Sequence, residues 1–338
     1  MNESKNVNEV FNVLSMKEEA KLSDEEKKEY YCKLREFLLN RKLQVTTKGA
    51  LTIAPKLKKV TEKIARKVTK TLAGGVVTVT VEGTENIPDS SVIFACIHQG
   101  MLDNFVWIPE CPKHALIVHG SDTSKFLLSA QLNTGLIMVE RNSGSEQRTQ
   151  AKLDMMSILL KGHSIFIFPE STWNLSPNKI HLPLNWGFVD AASKTGAPII
   201  PIVINYVYDL DSKKQKIECI NIKYGQPIYV NENDDYIEKL NEYSENISTM
   251  IWEQLEKKDV IKRKSITNTY YINHIKSCLD ALKLAKKNIE CERNAIYGAN
   301  NDFYVFNHIN DVSFDDYGTL LQTEECERLK KINLLHGI

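Results

Sequence analysis

Residues 91–103 read SVIFACIHQGMLD, and the rest of the chain can be interpreted around this stretch. The apolar, β-branched run before His98 predicts a buried strand, and Gly100 permits a sharp change of backbone direction into a following helix. Asp103 lies five positions after His98, about one and a half helical turns further on. That offset brings the carboxylate back under the imidazole if His98 directly precedes the helix. A carboxylate there fixes the tautomer and leaves the second ring nitrogen to accept a proton.

A histidine and an aspartate at this spacing also occur by chance, because the chain has eight histidines. The alternative is therefore a hydrogen-bonded histidine at a strand end. Three further stretches favour the catalytic interpretation: a strand over 135–141 that ends at Arg141, a strand over 164–172 that leads through Pro169 to Glu170, and an apolar strand over 197–204 with two prolines. Strands that alternate with helices in this way predict an α/β sheet covered on both faces.

In order and in spacing, these blocks resemble the glycerolipid acyltransferase family, the glycerol-3-phosphate and lysophosphatidic acid acyltransferases. That family shows His-x4-Asp, then a Gly-to-Arg strand, then Phe-Pro-Glu-Gly-Thr-Arg, then a Pro-containing apolar strand. The match covers roughly residues 80–210. Together with the pattern of elements, it predicts an α/β fold. We expect a mostly parallel mixed sheet covered by helices, with an N-terminal helical pair and a C-terminal extension.

Transfer of an acyl group from a thioester to an alcohol needs a base near the alcohol proton and donors for the carbonyl oxygen. No covalent enzyme intermediate is required. We assign His98 as the base and Asp103 as its orienting partner, with backbone amides at the start of the helix after Gly100 as oxyanion donors. Arg141 would bind an anion such as a glycerolipid phosphate, the alternative being a surface ion pair with Glu140.

The third block forms the acceptor side. There the resemblance implies that Glu170 positions the acceptor hydroxyl. From their residue types, Ser171 and Thr172 are expected to act as local caps. Ser171 replaces the family glycine, and Trp173 replaces the arginine that binds phosphate. An aromatic residue in place of a cation predicts a pocket less suited to glycerol-3-phosphate. Lysophosphatidic acid remains a possible acceptor because Arg141 could bind its phosphate, and so does a lyso-lipid or another alcohol without a phosphate. The candidate substrate-binding residues are therefore Arg141, Glu170, Ser171, Thr172 and Trp173.

Two helices are predicted before the first strand. Ser23 begins a capping box with Glu26, and the helix that follows should end before Thr46. The second helix covers 56–72, with seven basic residues against the single acid Glu62. Its apolar face comprises Leu57, Val60, Ile64, Val68 and Leu72. Such a helix is either a solvated surface element or an amphipathic helix that binds anionic lipid, and the lipid-handling motifs favour the second interpretation.

Charge and cysteine usage exclude several classes of protein. Lys and Arg total 43, and Asp and Glu also total 43, so the formal net charge is zero. A chain without net positive charge is not expected to bind a nucleic acid. The seven cysteines are scattered and lack Cys-x2-Cys spacing, which predicts reduced thiols in a cytosolic protein and no metal site. No apolar run approaches the ~20 residues that span a bilayer, and no signal peptide is evident. We therefore expect a cytoplasmic protein that is peripheral to the inner face of the membrane.

Three regions are expected: an N-terminal helical, membrane-facing region over 1–75, an acyltransferase α/β domain over 76–258, and a C-terminal extension of unassigned role over 259–338. The predicted activity transfers a fatty acyl group from acyl-CoA or acyl-carrier protein to a hydroxyl of a lyso-glycerolipid such as 1-acylglycerol-3-phosphate. No cofactor is expected, and the product would belong to phospholipid biosynthesis. The alternatives are acyl transfer to a non-phosphate alcohol and non-catalytic lipid binding on the same fold.

Overall fold

The computed structural model describes most of the chain up to residue 256. The described residues are 11–14, 16–43, 51, 56, 58–100, 102–120, 135–139, 145–171, 174, 180–182, 184–209 and 216–256. The predicted C-terminal extension over 259–338 lies outside them.

Helices and strands alternate along the described segments. The helices are α1 (Met16–Glu19), α2 (Asp24–Asn40), α3 (Lys58–Leu72), α4 (Asp103–Glu110), α5 (Ser145–Leu160), α6 (Gly187–Thr195) and α7 (Tyr236–Glu256). The strands are β1 (Thr78–Glu82), β2 (Ile93–Cys96), β3 (Ala115–Gly120), β4 (Leu136–Val139), β5 (Ser164–Ile167), β6 (Ile199–Asp209) and β7 (Lys216–Tyr224). Among these helices, none is long and apolar enough to cross a bilayer.

The strands form one sheet in the order β1-β7-β6-β2-β5-β3-β4. Neighbouring strands are parallel except for β6 and β7, which are antiparallel. β2 lies in the middle, with Ile93 opposite Ile199 of β6 and Ile165 of β5. Because these three strands are parallel, the residues that follow them meet at one edge of the sheet. The predicted mostly parallel mixed sheet is confirmed.

Alternate residues of β2 enter two separate cores. Ile93, Ala95 and Ile97 belong to a core that includes side chains of α2, α5, α6 and α7. Phe94 and Cys96 belong to a core that includes side chains of α3 and α4. Burial on both faces explains why this strand is a continuous apolar run rather than an alternating one. Helices cover both faces of the sheet, as predicted.

Helix α2 begins with the predicted capping box. The Ser23 hydroxyl accepts from the Glu26 amide at 3.3 Å, and the Glu26 carboxylate accepts from the Ser23 amide at 2.8 Å. Further along, Leu34 and Leu38 are fully buried in the core that also contains β2. The region predicted over 1–75 therefore contributes to the core of the sheet.

Much of the apolar stripe of α3 stays on the surface, although Val68 packs against the core. Thr61, Ala65 and Thr69 are 2%, 1% and 7% exposed on the side that lies against α4. Val60 and Ile64, by contrast, are 50% and 37% exposed. Small side chains at the contact let the two helix axes approach closely. Val60, Ile64 and Leu72 are left on the surface beside the basic side chains.

Candidate active site

His98 and Asp103 come together at the carboxyl end of β2. The strand ends at Cys96, and Asp103 is the first residue of α4. His98 Nδ1 lies 2.7 Å from Asp103 Oδ2, and the Asp103 side chain is 0% exposed. Because an ionised carboxylate only accepts hydrogen bonds, this contact assigns the proton to Nδ1 and the lone pair to Nε2. The imidazole is thus oriented to take up a proton at Nε2.

Donors beyond the imidazole also hold the Asp103 carboxylate. Oδ2 accepts from the backbone amides of Gln99 at 2.8 Å and Gly100 at 3.0 Å. Oδ1 accepts from the hydroxyl of Tyr206. The amides of Gln99 and Gly100 are therefore occupied by the Asp103 carboxylate. The expectation that amides after Gly100, at the start of the helix, serve as oxyanion donors stays a prediction.

The imidazole of His98 packs on the ring of Phe168. The ring centroids are 3.6 Å apart, and the planes differ by 11°. The His98 carbonyl also accepts from the Asn174 amide at 2.7 Å. The stacking on Phe168 and the contact with Asp103 hold the imidazole ring, while the Asn174 amide holds the backbone of His98.

Glu170 lies in the turn after β5 and is 4% exposed. One carboxylate oxygen accepts from the His98 amide, and the other accepts from the Leu182 amide at 2.7 Å. Burial raises the pKa of Glu170 to about 8, opposed by these two amide contacts and reinforced by the charge of Asp103. The carboxyl group therefore ties the strand end that carries His98 to the segment at Leu182. Its predicted role in positioning the acceptor hydroxyl stays a prediction.

Ser171 adopts a backbone conformation that usually belongs to glycine. Its φ is 60°, and its amide donates to the Phe168 carbonyl at 2.9 Å. The Asn185 side chain donates to the Ser171 hydroxyl at 2.8 Å and to the Pro169 carbonyl at 3.0 Å. Only glycine enters this region of φ without steric cost, which gives a physical reason for the glycine in the family pattern. Asn185 supplies contacts that hold a serine there instead.

The other candidate substrate-binding residues, Arg141, Thr172 and Trp173, lie outside the described residues. Their roles stay predictions. β4, the strand that leads toward Arg141, is present and ends at Val139 on the edge of the sheet.

Tyr206 is a site residue that the sequence reasoning missed. A signal was available, because Ile200, Ile202, Ile204 and Tyr206 recur at every second position of one strand. Such residues share a face of the sheet. Knowing that this strand is the neighbour of β2 would have placed the Tyr206 hydroxyl near the His98–Asp103 pair. The neighbour relation, however, is a property of the folded sheet.

The fold and the site together define an α/β protein with a histidine–carboxylate pair at the carboxyl end of its central parallel strand. Residues 78–205 match a family model described as Acyltransferase. A 1-acyl-sn-glycerol-3-phosphate acyltransferase from Cocos nucifera is 26% identical over 182 residues, which cover 52% of this chain and 58% of that protein. One from Borreliella burgdorferi is 30% identical over 196 residues, which cover 57% of this chain and 75% of that protein.

Among solved structures, the crystal structure of the 1-acyl-sn-glycerophosphate (LPA) acyltransferase PlsC from Thermotoga maritima aligns with a TM-score of 0.46 and 22% identity. The alignment covers 59% of this chain and 81% of that one. The Borreliella relative and the family model establish the relationship. The chain carries an acyltransferase domain and belongs to the glycerolipid acyltransferase family.

Proposed function

We propose that this chain is an O-acyltransferase that moves a fatty acyl group from acyl-CoA or acyl-carrier protein to a hydroxyl of a lyso-glycerolipid such as 1-acylglycerol-3-phosphate. The observation that carries the proposal is the 2.7 Å contact between His98 Nδ1 and the buried Asp103 carboxylate. A histidine held in this tautomer is suited to general base catalysis. The names of the relatives support an acylated glycerol phosphate as the acceptor.

In the proposed reaction, His98 Nε2 takes the proton of the acceptor hydroxyl as its oxygen attacks the thioester carbonyl carbon. A carbon–oxygen bond forms, and the carbonyl π electrons move to oxygen. The tetrahedral intermediate then collapses: the carbon–sulfur bond breaks, and the sulfur leaves with the bonding pair. The imidazolium returns its proton to the sulfur, which releases an ester and a free thiol. Asp103 stabilises the imidazolium while it exists.

The surface of α3 supports attachment of this enzyme to an anionic membrane. Val60 and Ile64 are exposed apolar side chains, and Lys59, Lys63 and Lys67 are exposed on the same helix. Apolar side chains that enter the interface, flanked by cations that meet anionic headgroups, are typical of a helix that lies on a lipid surface. A peripheral enzyme of this kind meets its lipid acceptor where that acceptor resides.

A panel of substrates tests the proposal. Purified protein is incubated with labelled acyl-CoA or acyl-carrier protein and with 1-acylglycerol-3-phosphate, glycerol-3-phosphate or a lyso-lipid that contains no phosphate. We expect an ester product with 1-acylglycerol-3-phosphate and a kcat/KM for glycerol-3-phosphate about ten- to a hundred-fold lower, because Trp173 removes one charge-assisted contact to phosphate. Absence of any acylated product with every pair would overturn the proposal in favour of non-catalytic lipid binding.

The same panel decides between acceptors. A higher kcat/KM for the lyso-lipid that contains no phosphate would mean that the acceptor is a non-phosphate alcohol and not 1-acylglycerol-3-phosphate. The variant Trp173→Arg should partly restore the use of glycerol-3-phosphate. If glycerol-3-phosphate is already the better acceptor of the wild type, Trp173 does not face the acceptor.

A further inference from the structure

The two oxygens of the Asp103 carboxylate have different surroundings. Oδ2 receives His98 Nδ1 together with the amides of Gln99 and Gly100, all from the turn that Asp103 itself closes. Oδ1 receives the hydroxyl of Tyr206, which lies 103 positions further along the chain. The Tyr206 hydroxyl thus connects this local turn to β6, a separate strand of the sheet.

The position of Tyr206 is fixed by the sheet. In the pairing of β6 with β2, Ile202 lies opposite Cys96, which is the last residue of β2. β6 continues beyond that point, and its antiparallel partner β7 places Ile220 opposite Tyr206. The tyrosine is therefore carried past the end of β2, to the level of the turn that holds the His98–Asp103 pair. A hydroxyl on a paired strand is a better-defined donor than one on a loop.

The contact has two physical consequences for the imidazole. First, a carboxylate held at both oxygens cannot rotate about its Cβ–Cγ bond, so Oδ2 keeps its alignment with His98 Nδ1. Second, a donor at Oδ1 draws negative charge away from Oδ2. The carboxylate then stabilises the imidazolium less strongly than it would without that donor, so His98 gives up its proton more readily.

We propose that Tyr206 is a positioning residue of the acyl transfer: its hydroxyl aligns Asp103 with His98 and limits the basicity of the imidazole. This inference rests on the proposed function for its kinetic consequences. The contact with Asp103 exists independently of the reaction, which gives the inference a second test that needs no activity.

Other titratable groups lie near the pair or against β2, and a change at Tyr206 leaves them in place. Glu170 contacts the His98 backbone amide from the turn after β5. Cys96 belongs to β2, and burial raises the pKa of its thiol, with the charges of Asp103 and Glu170 adding to the effect. From α7, the Tyr243 hydroxyl donates to the Ala95 carbonyl at 3.0 Å.

The test compares Tyr206→Phe with Tyr243→Phe, because each removes one tyrosine hydroxyl: that of Tyr206 donates to Asp103, and that of Tyr243 donates to the Ala95 carbonyl of β2. For Tyr206→Phe we expect kcat to fall about ten-fold, with little change in KM for either substrate. The acidic limb of the pH profile of kcat should move to higher pH, because the imidazolium is more stable. Tyr243→Phe should leave that limb in place, because its hydroxyl does not contact Asp103.

A stronger donor should act in the opposite direction. Incorporation of 3-fluorotyrosine at position 206 keeps the ring and the hydroxyl but makes the hydroxyl more acidic, so the acidic limb should move to lower pH. This substitution also serves if Tyr206→Phe does not fold. Wild-type kcat and an unchanged acidic limb in the folded Tyr206→Phe protein, or no movement with 3-fluorotyrosine, would overturn the inference and leave the proposed function standing.

If the wild type transfers no acyl group to any acceptor, the proposed function fails and the inference is judged by the titration of His98. Histidine labelled with 15N reports that titration directly by NMR, and His98→Gln assigns the signal. The midpoint should rise in Tyr206→Phe and stay in place in Tyr243→Phe. An unchanged midpoint in Tyr206→Phe would overturn the inference on this measurement as well.

Discussion

At the residue scale, the histidine–aspartate contact was predictable and the tyrosine that supports it was not. The spacing of His98 and Asp103 is local, so the geometry of one strand end and one helix start brings the two side chains together. Tyr206 reaches the same carboxylate through the pairing of β6 with β2 and β7. Sequence spacing contains no direct measure of that neighbour relation, although the period-two pattern of β6 shows which face the tyrosine occupies.

Ser171 provides a prediction about backbone strain. Its φ of 60° is unfavourable for a residue with a Cβ atom, by about 1–2 kcal/mol. The contact with Asn185 offsets part of this cost. Ser171→Ala keeps the strain and loses the contact, so its free energy of unfolding should fall by about 1 kcal/mol. Ser171→Gly relieves the strain and should be at least as stable as the wild type in urea unfolding. If Ser171→Gly is the less stable of the two variants, the backbone at this position is not strained.

Glu170 provides a prediction about pH and stability. Its pKa is about 8 in the fold, against the ordinary value of 4.5. Between these values the folded state holds a proton that the unfolded chain has lost. The free energy of unfolding therefore falls as pH rises, by at most about 1.4 kcal/mol per pH unit from this group, and the loss is complete above pH of about 8.

The measurement is urea unfolding of the wild type and of Glu170→Gln at several pH values from 5 to 8. Glu170→Gln removes the titration, so the difference in stability between the two proteins should change steadily with pH. Titrating groups that do not interact with Glu170 cancel in that difference. A constant difference across the range would contradict the account of Glu170 as a buried carboxyl group that retains its proton.

At the element scale, the existence and order of the helices and strands followed from the sequence, whereas the buried face of α3 did not. The capping box at Ser23 and the apolar runs of the strands are local signals, and the structure confirms the elements that they predict. The sequence predicted the apolar stripe of α3 as a lipid-facing surface, but it did not indicate that Thr61, Ala65 and Thr69 form the buried face of this helix. Which face is buried depends on the partner helix, and a single sequence does not identify it.

This exposed stripe gives a prediction for membrane binding. Lys59→Glu, Lys63→Glu and Lys67→Glu together should release the protein from vesicles that contain anionic lipid, because each basic residue near such a surface contributes about 1 kcal/mol. Ile64→Asp should also weaken binding, through the apolar contribution. Co-sedimentation with vesicles of anionic and of neutral lipid measures both effects.

The control for this prediction changes the same charge elsewhere. Lys21→Glu, Lys28→Glu and Lys33→Glu replace exposed lysines of the α1–α2 region and alter the net charge equally. This control should retain binding. Equal loss in both triple variants would mean that net charge, and not the surface of α3, determines the attachment.

At the scale of the whole molecule, a buried charge cluster joins the N-terminal helices α1 and α2 to helices α5 and α6. Lys194 of α6 pairs with Glu19 of α1 and, at 2.7 Å, with Asp190 of its own helix. Lys152 of α5 lies 2.5 Å from Asp190, and the Tyr31 hydroxyl of α2 donates to Glu19 at 3.2 Å. Burial alone would lower the pKa of Lys194, but Asp190 and Glu19 raise it above its usual value.

Removal of one partner from this cluster should destabilise the fold. Glu19→Gln leaves Lys194, which is 1% exposed, with fewer compensating charges, so the free energy of unfolding should fall by about 3–5 kcal/mol. Glu29→Gln is the matched control, because its pair with Lys33 is 68% and 65% exposed and contributes under about 1 kcal/mol. Urea unfolding measures both. A loss in Glu19→Gln no larger than that of the control would mean that the N-terminal helices are not held by this cluster.

The cluster itself was beyond prediction from sequence. Glu19 and Lys194 are 175 positions apart, and each is an ordinary charged residue in its local pattern. The order of motifs predicted the class of fold because every block there is a short local signal. Contacts between distant elements depend instead on how those blocks pack together. The buried charge cluster is a contact of this kind, so the local patterns did not predict it.

The central claim is that His98 is the general base of an acyl transfer. The most direct test is kcat/KM for transfer from acyl-CoA to 1-acylglycerol-3-phosphate in wild type, His98→Ala and His163→Ala. His163 directly precedes β5 and so lies at the amino end of this strand, whereas His98 follows the carboxyl end of β2. It is therefore a matched control that should keep near wild-type activity. His98→Ala should lose about 10²–10⁴-fold in kcat/KM while its thermal unfolding stays close to that of the wild type. A folded His98→Ala protein with near wild-type kcat/KM would contradict the account.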